Sequence, residues 1–94
     1  MIRLMAEYRV KEGTMGVVHS AIKEFVAAIW AAEAETEYLP YQVGGSDRFI
    51  HIMAFLDEDA RQRHQDADYT ARFVEVLYPN YSQRPEFTPL EIVE

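Results

Sequence analysis

Residues 48–56 read Arg48-Phe49-Ile50-His51-Ile52-Met53-Ala54-Phe55-Leu56. Side chains alternate between the two faces of a β-strand, so Phe49, His51, Met53 and Phe55 share one side while Ile50, Ile52, Ala54 and Leu56 share the other. Both rows are apolar apart from one histidine. A strand of that kind has both faces covered, which places it in the interior of a sheet. Just before it, Gly44-Gly45-Ser46-Asp47 is a turn sequence, and residues 36–43 are rich in Tyr, Leu and Val. The two runs therefore read as a hairpin.

The rest of the chain organises around that hairpin. Ile2, Leu4, Ala6, Tyr8 and Val10 alternate with Arg3, Met5, Glu7 and Arg9, the period of a half-buried strand. Gly13 supplies a turn and Thr14 an N-cap, after which Val18, Ile22, Phe25 and Ile29 recur at helical spacing to about residue 34. Asp57-Glu58-Asp59 is an acidic helix start for a short helix through His64. Asp68 reads as a second N-cap for residues 69–77, stopped by Pro79. Residues 87–93 read as a last strand, and Pro89, which has no N–H to give a ladder, assigns it to an edge or a bulge.

The order β-α-β-β-α-β is that of a ferredoxin-like α+β domain, with helices over one face of a four-stranded antiparallel sheet. The opposite face would expose Met5 and one of the two apolar rows of residues 48–56. An exposed apolar area of that size marks an interface, so a homodimer formed sheet to sheet is expected.

With 94 residues there is room for one domain, taken as residues 1–94, and a chain this short buries a modest fraction of its surface alone. A hydrophobic content of 49% excludes disorder as the default. The net charge of −7 disfavours nucleic acid, and Arg61-Gln62-Arg63 is the densest basic run. The absence of cysteine removes thiolate chemistry and Cys-based metal sites. Arg3 and Glu7 interrupt any apolar leader core, and no run reaches the roughly 20 apolar residues of a spanning helix. A cytoplasmic protein without a membrane role is the expectation.

Glu35-Thr36-Glu37-Tyr38-Leu39-Pro40-Tyr41-Gln42-Val43, the Gly/Ser/Asp turn, the strand ending at Phe55, then Asp57-Glu58-Asp59-Ala60 and His64 together resemble the antibiotic-biosynthesis-monooxygenase-like family across nearly the whole chain. In that family a Glu ends the first helix, a Tyr follows six positions on, an aromatic ends strand three and a His lies nine residues beyond. Glu35, Tyr41, Phe55 and His64 occupy those positions. Tyr38 and Pro40 depart from the family's small and polar residues. The resemblance implies a dimeric α+β barrel and a cleft between helices and sheet. It also implies either a cofactor-independent, quinone-forming monooxygenase or a haem-degrading one. The haem enzymes share the opening Met5-Ala6-Glu7-x-Arg9 but carry Asn at Tyr8, Trp at His64 and the iron-ligating His at Val74. That residue-by-residue mismatch sets haem aside and leaves no cofactor implied.

His64 is the first candidate for chemistry, because an imidazole that titrates near neutrality can take a phenolic proton. Its alternative role is to pack and tie the helix to a backbone carbonyl. Tyr8 is the second, an orienting donor whose hydroxyl needs a partner if buried. Tyr41, His51, Phe55, Tyr69, Arg72 and Phe73 are candidate substrate-binding residues, Arg72 as a cation for a carboxylate or phenolate at the cleft mouth. His51 and Phe73 are equally readable as core, Arg72 as a solvated helix residue, and Glu33, Glu35 and Glu37 as surface charge. Trp30 adds to the aromatic content of an expected flat pocket, and His19 is read as exposed. The three histidines, separated by 32 and 13 residues, form no local ligand pair, and no metal is assigned.

The reading that follows is a cofactor-independent monooxygenase acting on a small aromatic or quinol-like molecule with molecular oxygen. Two alternatives stand beside it: a non-catalytic small-ligand-binding dimer, and an isomerase or lyase acting on a small cyclic metabolite.

Overall fold

In the computed structural model, which describes residues 1–94, the elements are β1 (Ile2–Val10), α1 (Met15–Ala32), β2 (Glu37–Gln42), β3 (Arg48–Phe55), α2 (Glu58–Asp66), α3 (Asp68–Leu77) and β4 (Tyr81–Leu90). The strands make one antiparallel sheet in the order β2-β3-β1-β4. This is the ferredoxin-like α+β arrangement, with β3 hydrogen-bonded along both edges as its two apolar rows require.

Register fixes which residues look inward. Tyr8 lies opposite Phe49, Ala6 opposite His51 and Leu4 opposite Met53, and this row faces the helices. It packs against Val18, Ile22, Phe25 and Ile29 of α1 and Phe73 and Leu77 of α3. Phe25 and Phe73 stack with centroids 4.5 Å apart and rings 5° from parallel, which locks α1 to α3. Helix α1 has a mean hydropathy of 1.3 over its 18 residues, enough by length and composition to cross a membrane, and its buried stripe against the sheet accounts for that apolarity.

The helix boundaries follow local chemistry. Asp57 caps α2 by accepting from the Ala60 N–H at 2.8 Å, with Glu58 and Asp59 in the first turn where the helix dipole favours them. Ala67, in an extended conformation, separates α2 from α3 and is itself the cap, so Asp68 is the first helical residue and not the N-cap expected. Gly13 takes φ +83°, open to glycine at no steric cost. Thr14 precedes α1, but its hydroxyl donates to the Lys11 carbonyl and makes no helix cap.

Strand β4 corrects the expected final strand of residues 87–93. It starts at Tyr81 and stops at Leu90, on the edge of the sheet, where the prolines at 85 and 89 are tolerated. Its early half, Ser82-Gln83-Arg84, is polar because it lies at an exposed edge, and so carried no strand pattern.

The second sheet face is bare. Leu39 and Met5 flank Ile52, and Tyr41 lies beside Ile50. Leu39 and Tyr41 are 50% and 52% exposed.

A candidate active site between sheet and helices

Between the inner row of the sheet and the α2–α3 pair lies a cavity of about 410 Å³, lined mainly by apolar side chains and by Tyr8, Tyr38, His51 and His64. Pro85, Phe87 and Pro89 of β4 line its far side, where Phe87 is exposed. Such a space suits a flat ring system with a few polar groups.

The floor of the cavity is a three-residue array. His51 Nε2 is 2.9 Å from the Tyr8 hydroxyl and His51 Nδ1 is 2.7 Å from the Tyr38 hydroxyl. All three side chains are buried, His51 to 1% exposure. Burial without a neighbouring anion penalises the imidazolium and pushes His51 down to about 4, so it is neutral at physiological pH. Burial drives both tyrosines upward, Tyr38 further because the Tyr8 hydroxyl and the Glu33 carboxylate also face it. Tyr8 stacks on Phe49 at 5.6 Å, and Trp30 Nε1–H donates to the Tyr38 carbonyl at 3.1 Å, pinning β2 to the end of α1.

The helix wall carries the second polar group. His64, in the last turn of α2, is buried and lies 2.9 Å through Nδ1 from Glu33 Oε2. The same oxygen accepts from the Tyr69 hydroxyl. A carboxylate can only accept, so Nδ1 carries a hydrogen, and no protein group is bonded to Nε2. The Thr70 hydroxyl donates to the His64 carbonyl and fixes the backbone at the α2–α3 break. His64 touches the rings of Phe55 at 5.0 Å and Tyr38 at 5.7 Å. The tie expected between His64 and a backbone carbonyl is thus a tie to a side-chain carboxylate. Glu33 Oε1 is buried without a hydrogen-bond partner.

Of the residues singled out in the sequence, Tyr8, His51, Phe55, His64 and Phe73 line the cavity together. Tyr41 does not. Its register partner is Ile50, so it stands on the outer sheet face, half exposed. Arg72 is exposed on α3 and borders a separate shallow groove with Glu24 and Glu75, away from the cavity. Tyr69 borders that groove as well and does not line the cavity, but it bonds Glu33 and packs against the rings of His64 and Phe25; burial and that hydrogen bond drive it upward. Trp30 is exposed and outside the cavity. His19, expected to be exposed, is half-buried and bonded to Gln42 at 2.8 Å.

Tyr38, Glu33 and Arg61 were missed. Glu35 is exposed, and the buried acid is Glu33. Glu33 falls four residues after Ile29 and continues the buried stripe of α1, a signal the surrounding acidic run conceals. Tyr38 lies opposite Met53, on the inner face, by the same register that turns Tyr41 outward. Arg61, from the basic run Arg61-Gln62-Arg63, lines the cavity and pairs with Glu58.

No three His, Asp or Glu side chains converge as a ligand set, and Val74 lines the cavity. No family model and no curated protein matches the chain. Solved structures do. An antibiotic biosynthesis monooxygenase superposes with a TM-score of 0.90 at 18% identity, covering 100% of both chains. A candidate antibiotic biosynthesis monooxygenase from Caulobacter crescentus gives 0.89 at 18% identity, over 99% of this chain and 90% of that one. Another, from Nitrosomonas europaea, gives 0.87 at 11% identity over 100% of both. At these identities the likeness is one of fold.

Proposed function

On this antibiotic-biosynthesis-monooxygenase-like fold, we propose that the cavity binds a small phenolic or quinol-like ring and that His64 removes its proton for reaction with molecular oxygen without a cofactor. The observation that carries this reading is the Glu33–His64 pair: a carboxylate holds Nδ1–H and leaves Nε2, on a residue lining an apolar cavity, without a protein partner.

Deprotonation makes the ring an electron donor. The phenolate passes one electron to oxygen, and the resulting radical pair joins at a ring carbon as a peroxide. Loss of water, with the proton returned from His64, leaves a carbonyl. One oxygen atom enters the product and the other leaves as water, with all the electrons coming from substrate. Residues of the chain supply deprotonation, exclusion of water and a charge-matched surface for the phenolate. Tyr8 and Tyr38 line the same cavity, each hydroxyl bonded to His51, and are the residues assigned here to orient a ring oxygen. His51, neutral and engaged by both tyrosines, is too weak a base for this step.

The assembly belongs to the same reading. The row Leu39, Ile52 and Met5, with Tyr41 and Ile50 beside it, supports a homodimer formed across the bare sheet face.

Oxygen uptake in chelator-treated buffer, measured against a panel of dihydroxynaphthalenes and hydroxyanthrones, tests the reaction. Uptake with at least one compound, and appearance of the quinone, is expected. Absence of uptake across the panel, with ligand binding intact, would make the cavity a binding site only.

A further inference from the structure

Resting on the reading of the cavity as a site for a flat aromatic ring, we infer that its ligand is an acid: Arg61, with Gln65 beside it, takes a carboxylate carried on the ring and holds it one helical turn from His64.

The charges around the cavity are unlike those of the chain. Sixteen acidic residues stand against nine basic ones overall, yet no Asp or Glu lines the cavity, and Arg61 is its one Lys or Arg. Most of the remaining wall is apolar, and the polar groups of Tyr8, Tyr38, His51 and Thr70 are already bonded within the protein. A lone cation at the wall of an apolar space attracts an anion more strongly than it would in water, where solvent screens the charge.

Arg61 is held in place but not satisfied. Its Nη2 donates to Glu58 Oε1 at 2.5 Å, the one protein hydrogen bond the guanidinium makes. Nε–H, on the same edge as Nη2, is buried without an acceptor, and Nη1 has no protein partner. A guanidinium presents five N–H donors in a planar fork that matches the two oxygens of a carboxylate, and Glu58 uses one corner of it. The Glu58 side chain is 62% exposed against 33% for Arg61, so theirs is a pair that water screens and a bound anion can displace. Spacing along α2 supplies a second donor. Arg61, His64 and Gln65 stand at i, i+3 and i+4, all three line the cavity, and the Gln65 amide makes no hydrogen bond to the protein. The anion site therefore adjoins the proposed base, and the proposed substrate becomes a hydroxylated aromatic carboxylic acid.

2-Naphthoate and 2-naphthamide share one skeleton and nearly one shape, differ in charge at neutral pH, and have no phenolic proton for His64 to remove. Calorimetric titration of the wild type at low salt should show at least a tenfold preference for the naphthoate. Arg61→Met, which keeps an apolar stem, should reduce that preference below about threefold. Arg63→Met removes the same charge from an exposed position of the same helix outside the cavity and should retain it. Equal affinity of the wild type for the two compounds, no binding of either, retention of the preference in Arg61→Met, or its loss in Arg63→Met overturns the assignment. Should Arg61→Met not fold, proton–nitrogen spectra of the wild type read the contact directly. Naphthoate should move the Arg61 Nε–H resonance where naphthamide does not, and an unmoved resonance with naphthoate bound overturns the assignment. Carboxylate preference without oxygen uptake from any hydroxylated ring keeps this inference and removes the monooxygenase reading. Uptake without the preference does the reverse.

Discussion

His51 shows how a single position can be chemically quiet and still decisive. Buried and bonded by two hydroxyls, it is held neutral, with its protonation pushed down to about 4 from 6.5. The unfolded chain binds this proton below pH 6.5 and the folded chain does so only near 4, so between those values the unfolded state carries more protons. Stability therefore falls as pH drops through that window, by roughly 3 kcal/mol for this residue, and is unaffected by it above about pH 7. Urea unfolding at pH 7 and pH 4.5 should show a larger loss for the wild type than for His51→Gln, which has nothing to titrate. Equal losses would mean that His51 is protonated or accessible in the folded protein. Its pairing with Tyr38 could not be read from sequence, because the match to the family pattern pointed to Tyr41. Only the register of β2 on β3 shows that Tyr38 faces inward.

The elements were legible where hydrophobic period and turn chemistry agreed. The alternation in β1, the double-faced run of β3 and the stripe of α1 all appear where the sequence puts them. Strand β4 was misplaced because an edge strand with two prolines and a polar first half has neither a buried row nor a clean ladder to reveal it. Glu33 was concealed for a related reason, since an acid in a run of acids looks solvated until the helix phase is followed past Ile29. The element contact that matters most for the site is α1 on α3, made by the Phe25–Phe73 stack. Phe73→Ala should lower stability by about 3–5 kcal/mol, the usual range for removing a buried phenyl group. Urea unfolding would read the loss, and a change under about 1 kcal/mol would show that α3 is held by other contacts.

At the scale of the whole molecule, the sheet separates two surfaces with different tasks. One closes a cavity with the helices. The other leaves Leu39, Tyr41, Ile50 and Ile52 without cover in a single chain. Light scattering at micromolar concentration is expected to give twice the chain mass for the wild type. Ile52→Glu, which puts a charge at the centre of that face, is expected to give the chain mass. A wild-type monomer would show that the bare face is not an interface between copies. The central claim, however, concerns the cavity: that His64, aimed by Glu33, is the base for a reaction with oxygen. Its most direct test is the rate and ligand affinity of His64→Gln, whose amide can still bond Glu33 but cannot take a proton. The account predicts ligand binding within about threefold of the wild type, and oxygen uptake lowered by about 10² to 10⁴, the usual contribution of a positioned base. Uptake equal to that of the wild type would contradict it and leave His64 a packing residue.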